Sequence, residues 1–204
     1  MDTPLRGIRL IETHPWKWYV PAGARCLVIG THPPTKRNWS FDFFYPNKRN
    51  FFWKIIAGLV GRAFVHDDGM PAVEERKQAL ATLGVGVTDM GFVIERKGDS
   101  SLDENIAVVE YMEIHTILEL FPSIDTILLM SSSGKTSAKV WFQKYLMAQG
   151  IELRFQGKDK VSSYKLAPGR RVTVVILPSP SPRYANANRL AEMTQLYGRY
   201  MKPQ

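Results

Sequence analysis

Four short runs constrain this chain more than any other feature: Cys26-Leu27-Val28-Ile29-Gly30, Leu83 to Thr88, Thr126 to Met130, and Arg171 to Leu177. Three are almost unbroken stretches rich in Val, Ile and Leu. A strand covered on both faces has no solvent side on which to place polar residues, so such runs read as buried parallel strands. Helical patterns lie between and after them. Phe51 to Val60 is apolar and ends near Gly61. Leu102 to Leu120 carries apolar residues at helical spacing, with Ser101 as a candidate N-cap, Glu104 three residues on, and Pro122 closing it. Lys135 to Gln149 ends at Gly150, and Asn188 to Met201 forms the last helix. Strands alternating with helices predict an α/β fold: a three-layer α/β/α sandwich around a central, mostly parallel, four-stranded sheet. No repeat, linker or low-complexity stretch interrupts the pattern, so residues 1–204 read as a single domain. Residues 151–170, basic and rich in turn formers, read as an irregular excursion before the last strand.

Composition removes whole classes. Apolar residues at 45% and charged residues at 23% are globular values, which excludes disorder along the whole chain. No apolar run approaches the roughly 20 residues of a membrane span, and the N-terminus lacks a signal-peptide pattern. The lone Cys26 can form no internal disulfide and no Cys-rich metal centre. His14, His32, His66 and His115 show no metal-binding spacing. The expectation is a soluble cytoplasmic monomer, nucleoid-associated in a bacterium, with no metal, no cofactor and no membrane contact. The net charge of +8 is unevenly spread: +6 over residues 1–54, −5 over 55–150 and +7 over 151–204. If the two basic ends meet in the fold, they form a face suited to nucleic acid; otherwise they are solvated surface.

In open α/β sheets, ligands bind beyond the carboxyl ends of the strands. Four loops, starting at Gly30, Thr88, Ser131 and Pro178, therefore carry the functional question. The first, Gly30-Thr31-His32-Pro33-Pro34, runs into Phe41-Asp42-Phe43-Phe44-Tyr45-Pro46 and Asn50-Phe51-Phe52-Trp53-Lys54. Aromatic rings beside Lys36, Arg37, Lys48 and Arg49 offer flat faces for bases and cations for phosphates, although a hydrophobic core uses the same rings. The loop Ser131-Ser132-Ser133-Gly134-Lys135-Thr136 resembles a nucleotide-binding P-loop, but Leu129 stands where that motif needs glycine. A polar turn with Ser132 or Ser133 capping a helix is the simpler reading. The last loop, Leu177-Pro178-Ser179-Pro180-Ser181-Pro182-Arg183-Tyr184, is stiffened by three alternating prolines and carries hydroxyls and backbone amides suited to phosphate oxygens.

Taken in order, these motifs resemble the uracil-DNA glycosylase superfamily, and within it the mismatch-specific uracil/thymine-DNA glycosylase branch. Gly30-Thr31-His32-Pro33 is similar to Gly-Ile-Asn-Pro. Tyr45-Pro46 through Asn50-Phe51-Phe52-Trp53-Lys54 is similar to a Tyr-Pro-…-Asn-His-Phe-Trp-Lys run. Gly84-Val85-Gly86-Val87-Thr88-Asp89-Met90 is similar to Gly-Ile-Gly-Phe-Thr-Asn-Met, and Leu177-Pro178-Ser179-Pro180-Ser181 to a Pro-Ser-Ser-Ser or Pro-Asn-Pro-Ser loop. The resemblance spans roughly residues 24–200. It implies a monofunctional, metal-free hydrolase of base-excision repair that cleaves the N-glycosidic bond of a base flipped out of DNA. It further implies that Gly30, Thr31 and Asn50 contact the base and that Phe43 stacks on it. Ser179 and Ser181 would grip flanking phosphates. By charge alone, Lys36, Arg37, Lys48 and Arg49 are candidates for backbone contact or else solvated surface. Arg183 would fill the vacated stack.

Two departures from the family pattern bear on chemistry. His32 stands where the branch carries the Asn that positions the attacking water, and imidazole can serve as a general base. Asp89 stands where an amide reads the pairing edge; a carboxylate accepts hydrogen bonds but does not donate them. Either His32 or Asp89 is therefore the candidate for water activation. The alternative is a non-catalytic nucleic-acid-binding protein on the same fold.

Overall fold

The structure is a computed structural model that describes residues 9–131, 134–156 and 160–202. The four apolar runs become strands β3 (Cys26–Gly30), β4 (Val85–Asp89), β7 (Thr126–Leu129) and β9 (Arg170–Ile176). They pair in parallel, β4 with β3, β3 with β7, and β7 with β9. Their alternate side chains enter opposite cores. Cys26, Val28, Leu128 and Val175 point to one side, and Leu27, Ile29, Ile127, Leu129, Val172 and Val174 to the other. The first side is covered by α1 (Phe52–Val60), α2 (Gly69–Thr82) and α5 (Leu190–Tyr197). The second is covered by α3 (Ile114–Leu120) and α4 (Ala138–Ala148).

The sheet has six strands, not four. An antiparallel strand flanks the parallel core on each side: β2 (Trp18–Tyr19) pairs with β4, and β8 (Val161–Ala167) pairs with β9. Neither has the composition of a buried run. Strand β2 is two residues long, and β8 alternates exposed positions with half-buried ones and the buried Tyr164, within the segment expected to be irregular. The expected helix from Leu102 to Leu120 is also corrected. It comprises a 3-10 turn (Asp103–Asn105), strand β6 (Ile106–Tyr111) and the short helix α3. The β-branched run Ile106-Ala107-Val108-Val109 suits a strand as well as a helix. Here it pairs antiparallel with β5 (Gly91–Lys97), which pairs with β1 (Arg9–Thr13) in a second, three-stranded sheet. Ser101 caps no helix; its hydroxyl meets Thr35 and Asn38 instead.

Helix α2 has no counterpart in the sequence reading because its apolar face is narrow: Ala72, Val73, Ala79 and Leu80, interrupted by the buried Arg76. Helix α4 begins three residues later than expected and is capped by Ser137, whose hydroxyl accepts from the Val140 amide. The proposed caps Ser132 and Ser133 lie outside the described residues. Among the described residues no helix is long and apolar enough to cross a membrane.

Candidate active site

Parallel register sets the site. Gly30 and Asp89 are partners at the carboxyl ends of β3 and β4. The amides of Met90 and Gly91 bond the carbonyls of Gly30 and Thr31, at 3.1 and 2.9 Å, so the two strand ends stay joined past the sheet. Asp89 is 7% exposed and leans over Gly30: a Cβ at Gly30 would lie 2.2 Å from Asp89 Oδ1. Only glycine leaves room for that carboxylate.

The Asp89 carboxylate is held from the N-terminal segment, a region where sequence reasoning found no motif. His14 Nε2 lies 3.0 Å from Asp89 Oδ2, and both groups are buried. The Trp16 amide donates to His14 Nδ1 at 3.0 Å. Nδ1 is therefore the acceptor, and Nε2 carries the proton that Asp89 Oδ2 accepts. Among the described residues no hydrogen bond reaches Asp89 Oδ1, so one carboxylate oxygen is fixed and the other is free for a ligand.

His32 packs edge-on to His14, with ring centroids 5.1 Å apart. Its Nδ1–H donates to the Gly91 carbonyl at 3.0 Å, which leaves Nε2 with the free lone pair. The side chain is only 2% exposed, and Glu12 Oε2 stands 3.8 Å from Nε2. Burial is the main reason that the His32 pKa falls to about 4; the Gly91 hydrogen bond opposes the shift and the neighbouring His14 adds to it. At neutral pH the ring is uncharged and able to accept a proton, but it is a weak base. The loop carrying it is clamped by buried Arg96. That guanidinium bonds both Glu12 oxygens (2.8 and 3.0 Å), the Ser100 carbonyl (2.6 Å) and the Pro33 carbonyl (3.0 Å).

Thr31 Oγ1 donates to Asp103 Oδ1 at 3.1 Å. The Asp103 pKa rises to about 6, chiefly through desolvation of its carboxyl and with a contribution from the Asp89 charge, while Thr31 opposes the rise. Asp103 is otherwise open to solvent, which screens this effect. It escaped sequence reasoning because its segment resembled the first turn of a helix.

The aromatic loop divides into two parts. Phe43 is 5% exposed and packed against Tyr19, Phe44 and Trp53. So placed, it presents no platform to a base, unlike the expectation from the family pattern. Tyr45 is different. Its ring is half-buried and stacks on Phe52 at 4.0 Å, and its backbone holds φ 52°, the one positive φ outside glycine among the described residues. Its hydroxyl is enclosed, has no hydrogen-bond partner, and would lie 3.2 Å from a Cβ on Gly30.

Asn50 turns its Oδ1 inward to accept from the Phe52 amide at 2.9 Å, which begins α1. The Phe51 amide bonds the Pro180 carbonyl at 2.9 Å and so ties the first loop to the last. In the last loop, Ser179 Oγ accepts from the Ser181 amide (3.2 Å), and Ser181 Oγ accepts from the Arg183 amide (3.4 Å). Both hydroxyl protons remain available to an anion. Arg183 is exposed and stands 3.8 Å from Glu104, next to Asp103. Lys48 and Arg49 are exposed and make no ion pair among the described residues. The fold thus brings Gly30, Thr31, His32 and Asp89 together, and it ties the loop of Asn50 to that of Ser179 and Ser181. Among the described residues no group of three or more His, Cys, Asp or Glu side chains is placed to hold a metal ion.

No protein-family model matches the chain, and no curated protein matches it. Among solved structures it is similar to the solution structure of a candidate uracil DNA glycosylase from Methanosarcina acetivorans, with a TM-score of 0.58 and 19% identity. The match covers 94% of this chain and 99% of that one. At this identity the likeness establishes a shared α/β architecture.

Proposed function

We propose that this chain is a DNA base-excision glycosylase of the uracil-DNA glycosylase type, acting on uracil-like or deaminated purine bases. The observation that carries the reading is the junction at Gly30 and Asp89. A carboxylate oriented by His14, a neutral imidazole with one free lone pair, and a proline-stiffened serine loop meet at one end of a sheet whose fold is shared with a candidate glycosylase.

In this reading Ser179, Ser181, Arg183, Lys48 and Arg49 hold the DNA backbone while the damaged nucleotide is rotated out, at a cost of a few kcal/mol that is least for mismatched pairs. A base entering beside Phe43 requires the Tyr19 and Phe44 packing to open. Asp89 meets the base edge, and His32 Nε2 holds the water. The water oxygen bonds to C1′ and its proton passes to Nε2. The N-glycosidic electron pair leaves with the base. Glycosidic cleavage builds positive charge on the sugar before water closes on it, so a weak base suffices. No metal enters these steps.

Incubation with duplexes carrying uracil, hypoxanthine, xanthine or mismatched thymine, followed by alkaline cleavage, tests the reading. Abasic product from at least one is expected. A second reading, DNA binding without catalysis, is favoured by the 2% exposure of the His32 side chain. Salt-sensitive DNA binding with no abasic product from any duplex would establish it instead.

A further inference from the structure

Three features of Tyr45 call for a common explanation. Its backbone occupies the left-handed region at φ 52°, which strains a non-glycine residue. Its hydroxyl is enclosed without a partner, which leaves a desolvated donor uncompensated. Its ring is backed by Phe52 at 4.0 Å, so the side chain is held in place. A residue kept in a strained backbone in order to enclose an unpaired donor is poorly explained by stability alone.

What the hydroxyl faces supplies the explanation. Tyr45 Oη and Asp89 Oδ1 converge above Gly30, at 3.2 and 2.2 Å from where a side chain would begin. Asp89 Oδ1 is an acceptor without a donor; Tyr45 Oη is a donor without an acceptor. The two are not hydrogen-bonded to each other. Oδ2 is already occupied by His14, so Oδ1 cannot turn away to satisfy itself. Burial pushes the Tyr45 phenol well above its ordinary pKa, and the nearby Asp89 charge adds to the shift, so the group stays a donor at every physiological pH.

We propose that Tyr45 and Asp89 form an edge-reading pair for a planar lactam, in which Asp89 Oδ1 accepts the ring N–H and the Tyr45 hydroxyl donates to the adjacent carbonyl. Uracil, hypoxanthine and xanthine present that –NH–CO– edge. Cytosine in the same pose would set a ring lone pair against the carboxylate and an amino group against the phenol. Buried polar pairs of this kind discriminate strongly, because the wrong ligand leaves both partners unmatched. The proposal rests on the glycosylase reading for its ligand class, and it adds the residue that selects the edge.

Free bases blocked at the glycosidic nitrogen separate the two claims. Binding of 1-methyluracil, 9-methylhypoxanthine, 1,3-dimethyluracil and 1-methylcytosine is measured by ligand-detected NMR on the wild type and on Tyr45→Phe, together with melting temperatures. The first two are expected to bind the wild type, and the last two at least tenfold more weakly. Tyr45→Phe should lose at least tenfold for the first two while melting at the same or a higher temperature, since it discards an unpaired hydroxyl. Equal binding by Tyr45→Phe, a lowered melting temperature in that variant, equal binding of 1,3-dimethyluracil, or no lactam binding by the wild type would each overturn the proposal. Excision is scored separately: Tyr45-dependent lactam binding without abasic product defeats the enzyme reading and leaves the edge-reading pair standing.

Discussion

Buried His32 makes the stability of this protein depend on acid in a way that can be worked out in advance. Unfolded, the imidazole titrates near 6.5; folded, it titrates near 4, because burial disfavours the charged ring. Between those values the unfolded chain holds a proton that the folded chain does not. Stability therefore falls as the pH drops through that window, and the loss is complete below about pH 4. The difference between 6.5 and about 4 corresponds to about 3 kcal/mol in full, and to about 2 kcal/mol at pH 5. No large discount for solvent applies, since the side chain is 2% exposed. The groups around it are His14, Asp89, Glu12 and Arg96. The variant for comparison is His32→Asn, which keeps a donor for the Gly91 carbonyl and removes the titrating ring. Urea unfolding of both proteins at pH 7.5 and pH 5 provides the assay. With a urea m value of about 2–3 kcal/mol/M for a chain of this size, the wild type should lose roughly 0.7–1 M more in midpoint than His32→Asn on acidification. Asp103, whose raised pKa acts in the opposite direction, and His115, lowered by burial, titrate in both proteins and cancel in the difference. If the gap between wild type and variant is the same at both pH values, the reasoning is refuted.

Gly30→Ala should displace Asp89 from His14, because its Cβ would lie 2.2 Å from Oδ1. A loss of about 1–3 kcal/mol in thermal unfolding and a drop of more than tenfold in base release or DNA-bound lifetime are expected. Arg96→Met removes the clamp on Glu12, Ser100 and Pro33, and should cost about 3 kcal/mol, the low end for a broken buried pair because Glu12 is 32% exposed. At about 2–4 °C per kcal/mol for a chain of this length, calorimetry should record a melting temperature roughly 6–12 °C lower. Neutralising Arg183 together with Lys48 and Arg49 should weaken duplex binding far more than neutralising Lys139 and Lys144, and should flatten its salt dependence. Equal losses in the two sets, measured by fluorescence anisotropy across a salt series, would remove the assignment of the DNA face.

Much of the fold is legible because burial leaves a local trace. Parallel strands covered on both faces must be apolar at consecutive positions, and the four runs so identified are the four parallel strands observed. The edges leave no such trace. Strand β8 mixes polar and apolar residues on both faces, with Val161 and Ala167 exposed and Ser162 turned inward, and β2 is too short to show any period. The segment from Leu102 to Leu120 misleads because β-branched residues at mixed spacing satisfy both periods. Its pairing with β5, a long-range hydrogen-bond ladder, decides for the strand over residues 106–111.

The sequence by itself determined the central parallel layer, and with it the loops from which any site had to be built: those beginning at Gly30, Thr88, Ser131 and Pro178. Composition of each short segment was sufficient, because whether a strand is buried is already written in its own residues. What those loops bring together was decided only by tertiary structure. Asp89 is oriented by His14, 75 positions away, and Thr31 meets Asp103 across 72 positions. Phe43, drawn from the sequence as a stacking platform, is claimed by core packing, while Tyr45, two residues on, turns its unpaired hydroxyl toward Gly30. Neighbouring aromatics look alike along the chain. Which of them packs into the core and which turns its hydroxyl toward Gly30 depends on the backbone twist at Tyr45.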